Sequence, residues 1–99
     1  MPFILEFAEE AASQYSGLQK SKRLQAQYKA VQKALGFLRE NPKHPGLHTH
    51  AYESFTGPDN VKVWEAYAQN HTPGAYRIFW CYYPPKTSTI TILAITPHP

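Results

Sequence analysis

The chain has 99 residues, enough for one hydrophobic core but not two, and it reads as a single domain over residues 1–99. Its 42% hydrophobic and 17% charged residues exclude a disordered chain, and its single cysteine, Cys81, excludes a disulfide framework or a Cys-rich zinc module. Ten Lys and Arg against seven Asp and Glu give +3 and an isoelectric point near 9.1, which permits a polyanionic partner without demanding one.

Residues 3–7 alternate, with Phe3, Leu5 and Phe7 on one face and Ile4 and Glu6 on the other, which predicts a short strand. The start of the chain carries no basic leader, and no apolar run is long enough to cross a bilayer. The expected location is therefore the cytoplasm, away from membranes. From Ala8 the spacing turns helical through Ala11, Ala12, Tyr15 and Leu18, with a break expected at Ser16-Gly17. A second helix is predicted over 21–40. Its apolar positions Leu24, Tyr28, Val31, Leu35 and Leu38 form one stripe, and Asn41-Pro42 ends it.

After Pro2 no proline occurs until Pro42, and seven more follow by Pro99. Proline punctuates strands and breaks helices, so the second half is cut into short pieces. Residues 43–60 read as irregular connection. Residues 61–69 and 75–83 read as strands joined by the turn-rich Asn70-His71-Thr72-Pro73-Gly74, and 88–96 reads as a last strand. The expected fold is α+β in the order β-α-α-β-β-β. An antiparallel sheet would carry both N-terminal helices on one face and leave the other open.

The ordered motifs resemble the RelE/ParE superfamily of toxin–antitoxin toxins. They are Phe3-Ile4-Leu5-Glu6-Phe7 running into Ala8-Glu9-Glu10-Ala11; Ala34-Leu35-Gly36-Phe37-Leu38 ending in Glu40-Asn41-Pro42; Val63-Trp64-Glu65-Ala66-Tyr67; and Ala75-Tyr76-Arg77-Ile78-Phe79-Trp80. The resemblance implies a small cytoplasmic toxin held inactive by a cognate antitoxin, alone or as a homodimer or hetero-oligomer. Many such toxins cleave mRNA, usually on the ribosome, whereas the ParE branch poisons DNA gyrase without nuclease chemistry. A catalytically inactive member that only binds protein is a further alternative. RelE-type members often supply an arginine and a tyrosine from a basic tail. In this chain His98 is the residue placed to fill that role.

Metal-free RNA cleavage needs a base for the ribose 2′-OH, cationic donors for the phosphorane and an acid for the leaving 5′-oxygen. Arg77, in an apolar strand, is the candidate for phosphate contact, and its other reading is a cross-strand ion pair with Glu65. If paired residue numbers sum to an even value, Arg77 shares a face with Glu65 and Tyr67. If the sum is odd, it shares one with Lys62 and Trp64. Glu65 is a candidate base or the structural partner of Arg77, and Lys62 a phosphate contact. Counting by twos from Ile90 puts Ile92, Ala94, Thr96 and His98 on one face, so His98 is a candidate acid or base. Tyr67 and Phe79 share odd parity with Arg77 and are candidates for base stacking, and His50 is a candidate to enter the cleft. His48-Thr49-His50 lacks further ligands nearby, so neither a metal nor another cofactor is expected.

Overall fold

A computed structural model describes residues 2–98; Met1 and Pro99 fall outside that range. The elements are β1 (Ile4–Phe7), α1 (Glu9–Lys20), α2 (Gln25–Glu40), β2 (His50–Ala51), β3 (Trp64–Tyr67), β4 (Tyr76–Tyr82) and β5 (Thr89–Pro97). The class is α+β, with five strands in the order β1-β5-β4-β3-β2.

Two features of the sheet differ from the sequence expectation. The pairs β2–β3, β3–β4 and β4–β5 are antiparallel, but β1 lies parallel to β5, so the sheet is mixed. A strand pattern shows that β1 exists; its partner is set by where the two helices return the chain. The segment read as irregular also contributes β2, which is two residues long and too short to carry a periodicity.

The helices differ at their ends. α1 runs through Ser16-Gly17 to Lys20, because Leu18, 3% exposed, is drawn into the core. A mid-helix glycine costs only about 1 kcal/mol, less than burying a leucine returns. The chain then turns at Ser21, in extended conformation, and α2 begins at Gln25 rather than 21. The predicted stripe holds: Val31, Leu35 and Leu38 are buried, and Leu24 and Tyr28 pack beside them against Ala66, Ile78 and Trp80 of the sheet.

β5 switches faces midway. Phe79 pairs with Ala94 but Trp80 pairs with Ile92, so Leu93 is an extra residue in the strand. Ile90 and Ile92 therefore belong to the helix-side core, whereas Leu93 and Ala94 pack on the opposite side against Val63 and Phe79. This corrects the single face counted from Ile90. β1 pairs no further than Phe7 with Ile92, and beyond that point the Ile95 N–H donates to Gln14 Oε1 of α1 at 2.6 Å. The side opposite the helices is not bare. Tyr52 and Phe55, from the loop after β2, cover Phe79 with ring centroids 4.7 and 5.9 Å from its own.

Candidate active site

The β3–β4 ladder pairs Glu65 with Phe79 and Tyr67 with Arg77. These sums are even, so Arg77, Glu65 and Tyr67 share the face away from the helices. β2 then sets His50 directly opposite Glu65.

Four side chains meet there. Glu65 is 5% exposed, and its two oxygens face a histidine and an arginine. Oε1 lies 2.7 Å from His50 Nε2, and Oε2 lies 3.7 Å from Arg77 Nε. The second distance is an ion pair without a hydrogen bond, and Arg77 Nε has no hydrogen-bond partner among the described residues. Arg77 Nη1 donates to the Gln69 carbonyl at 2.6 Å and to the Tyr76 carbonyl at 3.4 Å. Its guanidinium carbon sits 3.7 Å from the centre of the Tyr67 ring, a cation–π stack. Arg77 is thus the cross-strand ion-pair partner of Glu65.

His50 is the accessible member, with 47% of its side chain exposed. Its Nδ1 lies 3.0 Å from the His48 carbonyl, and its edge meets the Tyr67 ring at 5.6 Å. A backbone carbonyl only accepts, so an Nδ1–H is what satisfies the His48 contact. The ring is thus held at both nitrogens, by the His48 carbonyl and by Glu65. His48 reaches that place with a left-handed backbone, φ 48°, at the end of a short 3-10 turn.

The other candidates separate. The His98 N–H donates to the Ala75 carbonyl at 2.7 Å, extending the β4–β5 ladder past Tyr76 with Pro97. That register puts His98 on the Arg77 face, next after Thr96. Lys62 lies on the other side: its Nζ is 4.8 Å from the Trp64 ring, which packs against the helix-side core. Phe79 is on the Arg77 face but 8% exposed beneath Tyr52. Tyr67 offers one ring face to Arg77 and its surroundings to His48 and His50. The exposed aromatic ring on this side is Phe55, at 41%. The pairing of His50 with Glu65 was not foreseen, because their contact passes through a strand of two residues. The only signal for it is the proximity of a histidine to the strand entry.

Among the described residues, no group of three His, Cys, Asp or Glu side chains is placed to hold a metal ion. No described helix is long and apolar enough to cross a membrane.

No protein-family model matches the sequence, and no curated protein matches it. Solved structures do. A YoeB/ParE toxin from Agrobacterium tumefaciens superposes with a TM-score of 0.69 at 8% identity, over 97% of this chain and 99% of that one. A YoeB dimer from Staphylococcus aureus superposes with a TM-score of 0.65 at 12% identity, over the full length of both chains. The fold of this chain is thus that of the YoeB/ParE toxins, end to end, on a sequence that shares little with either.

Proposed function

We propose that the chain is a RelE/ParE-type toxin that cleaves RNA without a metal, acting in the cytoplasm on mRNA, with the ribosome as its setting. The observation that carries this reading is the His50–Glu65–Arg77 array on the face the helices leave uncovered. His50 and His98 flank the Arg77–Tyr67 pair from opposite directions, three strands and two ladder steps apart. Strand spacing and rise put their Cα atoms roughly 20 Å apart, so a phosphorus midway is about 10 Å from each. That distance is spanned by one histidine side chain, one hydrogen bond and one P–O bond. In-line attack places base and acid on opposite sides of the phosphorus, and two flanking histidines meet that demand.

In this reading an Nε2–H of His50 turns from Glu65 to the substrate and protonates the leaving 5′-oxygen. His98 accepts the proton of the attacking 2′-OH, and Arg77 lends positive charge to the phosphorane. Glu65 balances His50 and Arg77 and sets their orientation. Its two oxygens are already engaged by His50 and Arg77, which argues for positioning over the role of free base. Phe55 offers a ring on which a neighbouring base can stack. Lys62 contributes nothing on this face. A cognate antitoxin would silence the toxin by covering the array, in a hetero-oligomer or on a homodimer.

A second reading has one observation behind it. Arg77 Nη1 is committed to two backbone carbonyls, which suits a scaffold better than a phosphate fork. A toxin that binds gyrase or another protein needs only the scaffold. Brief expression in bacteria separates the two: transcript integrity and plasmid supercoiling are followed for wild type, His50→Ala, Arg77→Ala and His98→Ala. Transcripts cut by wild type and spared by His50→Ala support the nuclease. Intact transcripts with active wild type present remove it, and lost supercoiling then points to gyrase.

A further inference from the structure

On the opposite side of the sheet, a cleft of about 480 Å³ opens between the loop after α2 and the far ends of β3 and β4. The sequence builds it with aromatic and ring side chains. Trp64, Trp80 and Tyr82 form one wall, and Pro42 and Pro45 belong to the other. Trp64 and Trp80 stack with centroids 6.2 Å apart and planes inclined by 25°, and Tyr82 meets Trp80 edge-on at 4.9 Å. Tyr82 stays 39% exposed at the mouth. The helices end before this part of the sheet, so nothing in the fold fills the space.

The charge around the cleft has one sign. Lys43 lines it, Lys62 Nζ sits 4.8 Å from the Trp64 ring, and no aspartate or glutamate is in the wall. Trp80 adds an unmet donor: its indole N–H is buried and has no acceptor among the described residues. Flat walls take a flat ring, the lysines take an anion, and the indole N–H wants an acceptor. We propose that this cleft binds a mononucleotide, with the base against Trp64 and Tyr82, over the buried Trp80, and the phosphate on Lys43 and Lys62. The cleft lies on the other side of the sheet from the His50 array, with His48 lining the one and touching the other, and its occupancy is independent of the nuclease reading.

The test is a nitrogen–proton NMR titration of the full chain with 5′-AMP, 5′-GMP, 5′-CMP and 5′-UMP, with adenosine as the uncharged counterpart. At least one nucleotide is expected to shift the Trp64 and Trp80 indole N–H signals and the amides of residues 42–49 saturably. Adenosine should bind more weakly. Lys43→Ala/Lys62→Ala, which alters two exposed side chains and should fold normally, is expected to weaken binding roughly tenfold. Absence of saturable shifts up to about 10 mM of every nucleotide overturns the proposal. So does adenosine binding as tightly as AMP, or unchanged affinity in the lysine variant. Shifts confined to the His50 face would also overturn it, by assigning the nucleotide to the other site.

Discussion

His50 faces Glu65 across the β2–β3 ladder, with Nε2 2.7 Å from Oε1, while the other carboxylate oxygen turns to Arg77. The three groups divide into a buried pair and an exposed partner, and substitutions should divide the same way. Glu65→Leu leaves the buried Arg77 charge without its counter-ion and is expected to cost ~3–5 kcal/mol of stability. His50→Ala removes a half-exposed side chain and should cost under about 1 kcal/mol. Yet His50→Ala should lose roughly 10²–10⁴-fold in RNA cleavage, because it removes a proton-transfer group. Urea denaturation together with a transcript-cleavage assay checks both. A stable His50→Ala variant that cuts RNA at the wild-type rate removes His50 from the chemistry.

Gln14 has a more local role. Its Oε1 accepts the Ile95 N–H at 2.6 Å, where β1 no longer runs beside β5, and Ile95 itself is 2% exposed. Gln14→Ala strands a buried donor and is expected to lower stability by ~1–3 kcal/mol, measurable as a shift in denaturation midpoint. Gln14→Glu keeps the acceptor and should recover most of the loss. Equal stability of Gln14→Ala and wild type would mean that water replaces the glutamine.

How much of this was legible beforehand depended on the length of each pattern. The stripe Leu24, Tyr28, Val31, Leu35 and Leu38 spans four turns of helix and identified the core face of α2 unaided. The β3–β4 hairpin was legible as two strands, and its register as one of two choices. The one realised puts Glu65, Tyr67 and Arg77 together. Three things lay beyond reach. β2 has two residues, and no periodicity exists at that length. The extra residue Leu93 leaves no mark in an Ile- and Thr-rich strand, yet it reverses which side chains face the helices. Phe79 had the right parity for an open face, but the Tyr52–Phe55 loop folds over it, and loop placement is a tertiary matter.

Gly17 tests the helix that ran through its predicted break. It lies inside α1, and a Cβ added there meets no atom within 4 Å. Gly17→Ala is therefore expected to stabilise the protein by ~0.5–1 kcal/mol, chiefly by narrowing the unfolded ensemble. For a domain of this size that amounts to a rise of roughly 2–8 °C in Tm. A fall in Tm would show that position 17 departs from helix in solution.

Alkaline pH should weaken the fold. Burial, reinforced by its hydrogen bond with Tyr28, pushes the Tyr15 hydroxyl up to about 12 from an ordinary 10.0. Burial also raises Tyr82 and the Cys81 thiol, and the hydrogen bond to Asp59 raises Tyr83. In each case the unfolded chain loses its proton at a lower pH than the folded one. Stability is then complete below the unfolded values and falls as pH climbs through the folded ones. Denaturation midpoints are expected to hold steady up to about pH 8.5 and decline toward pH 12. Tyr15→Phe should flatten the upper part of that decline. A midpoint constant from pH 9 to 12 would rule out these shifts.

Phe55 separates stacking on RNA from packing on Phe79. Its ring contacts both Tyr52 and Phe79, yet 41% of the residue remains exposed beside the Arg77 face. If a base of the bound strand stacks there, Phe55→Ala loses ~1–3 kcal/mol of binding, about 5- to 150-fold in affinity. Phe55→Trp should retain it, since any flat ring serves. The ligand for this measurement is a short single strand with a 2′-deoxy nucleotide at the scissile position, which cannot be cut. Stability is expected to change by less than about 1 kcal/mol, because the ring is only partly buried. Equal affinities for wild type and Phe55→Ala, with the fold intact, would make Phe55 a cover for Phe79 and nothing more. A loss in Phe55→Ala restored by Phe55→Trp would place the strand over the same face as His50.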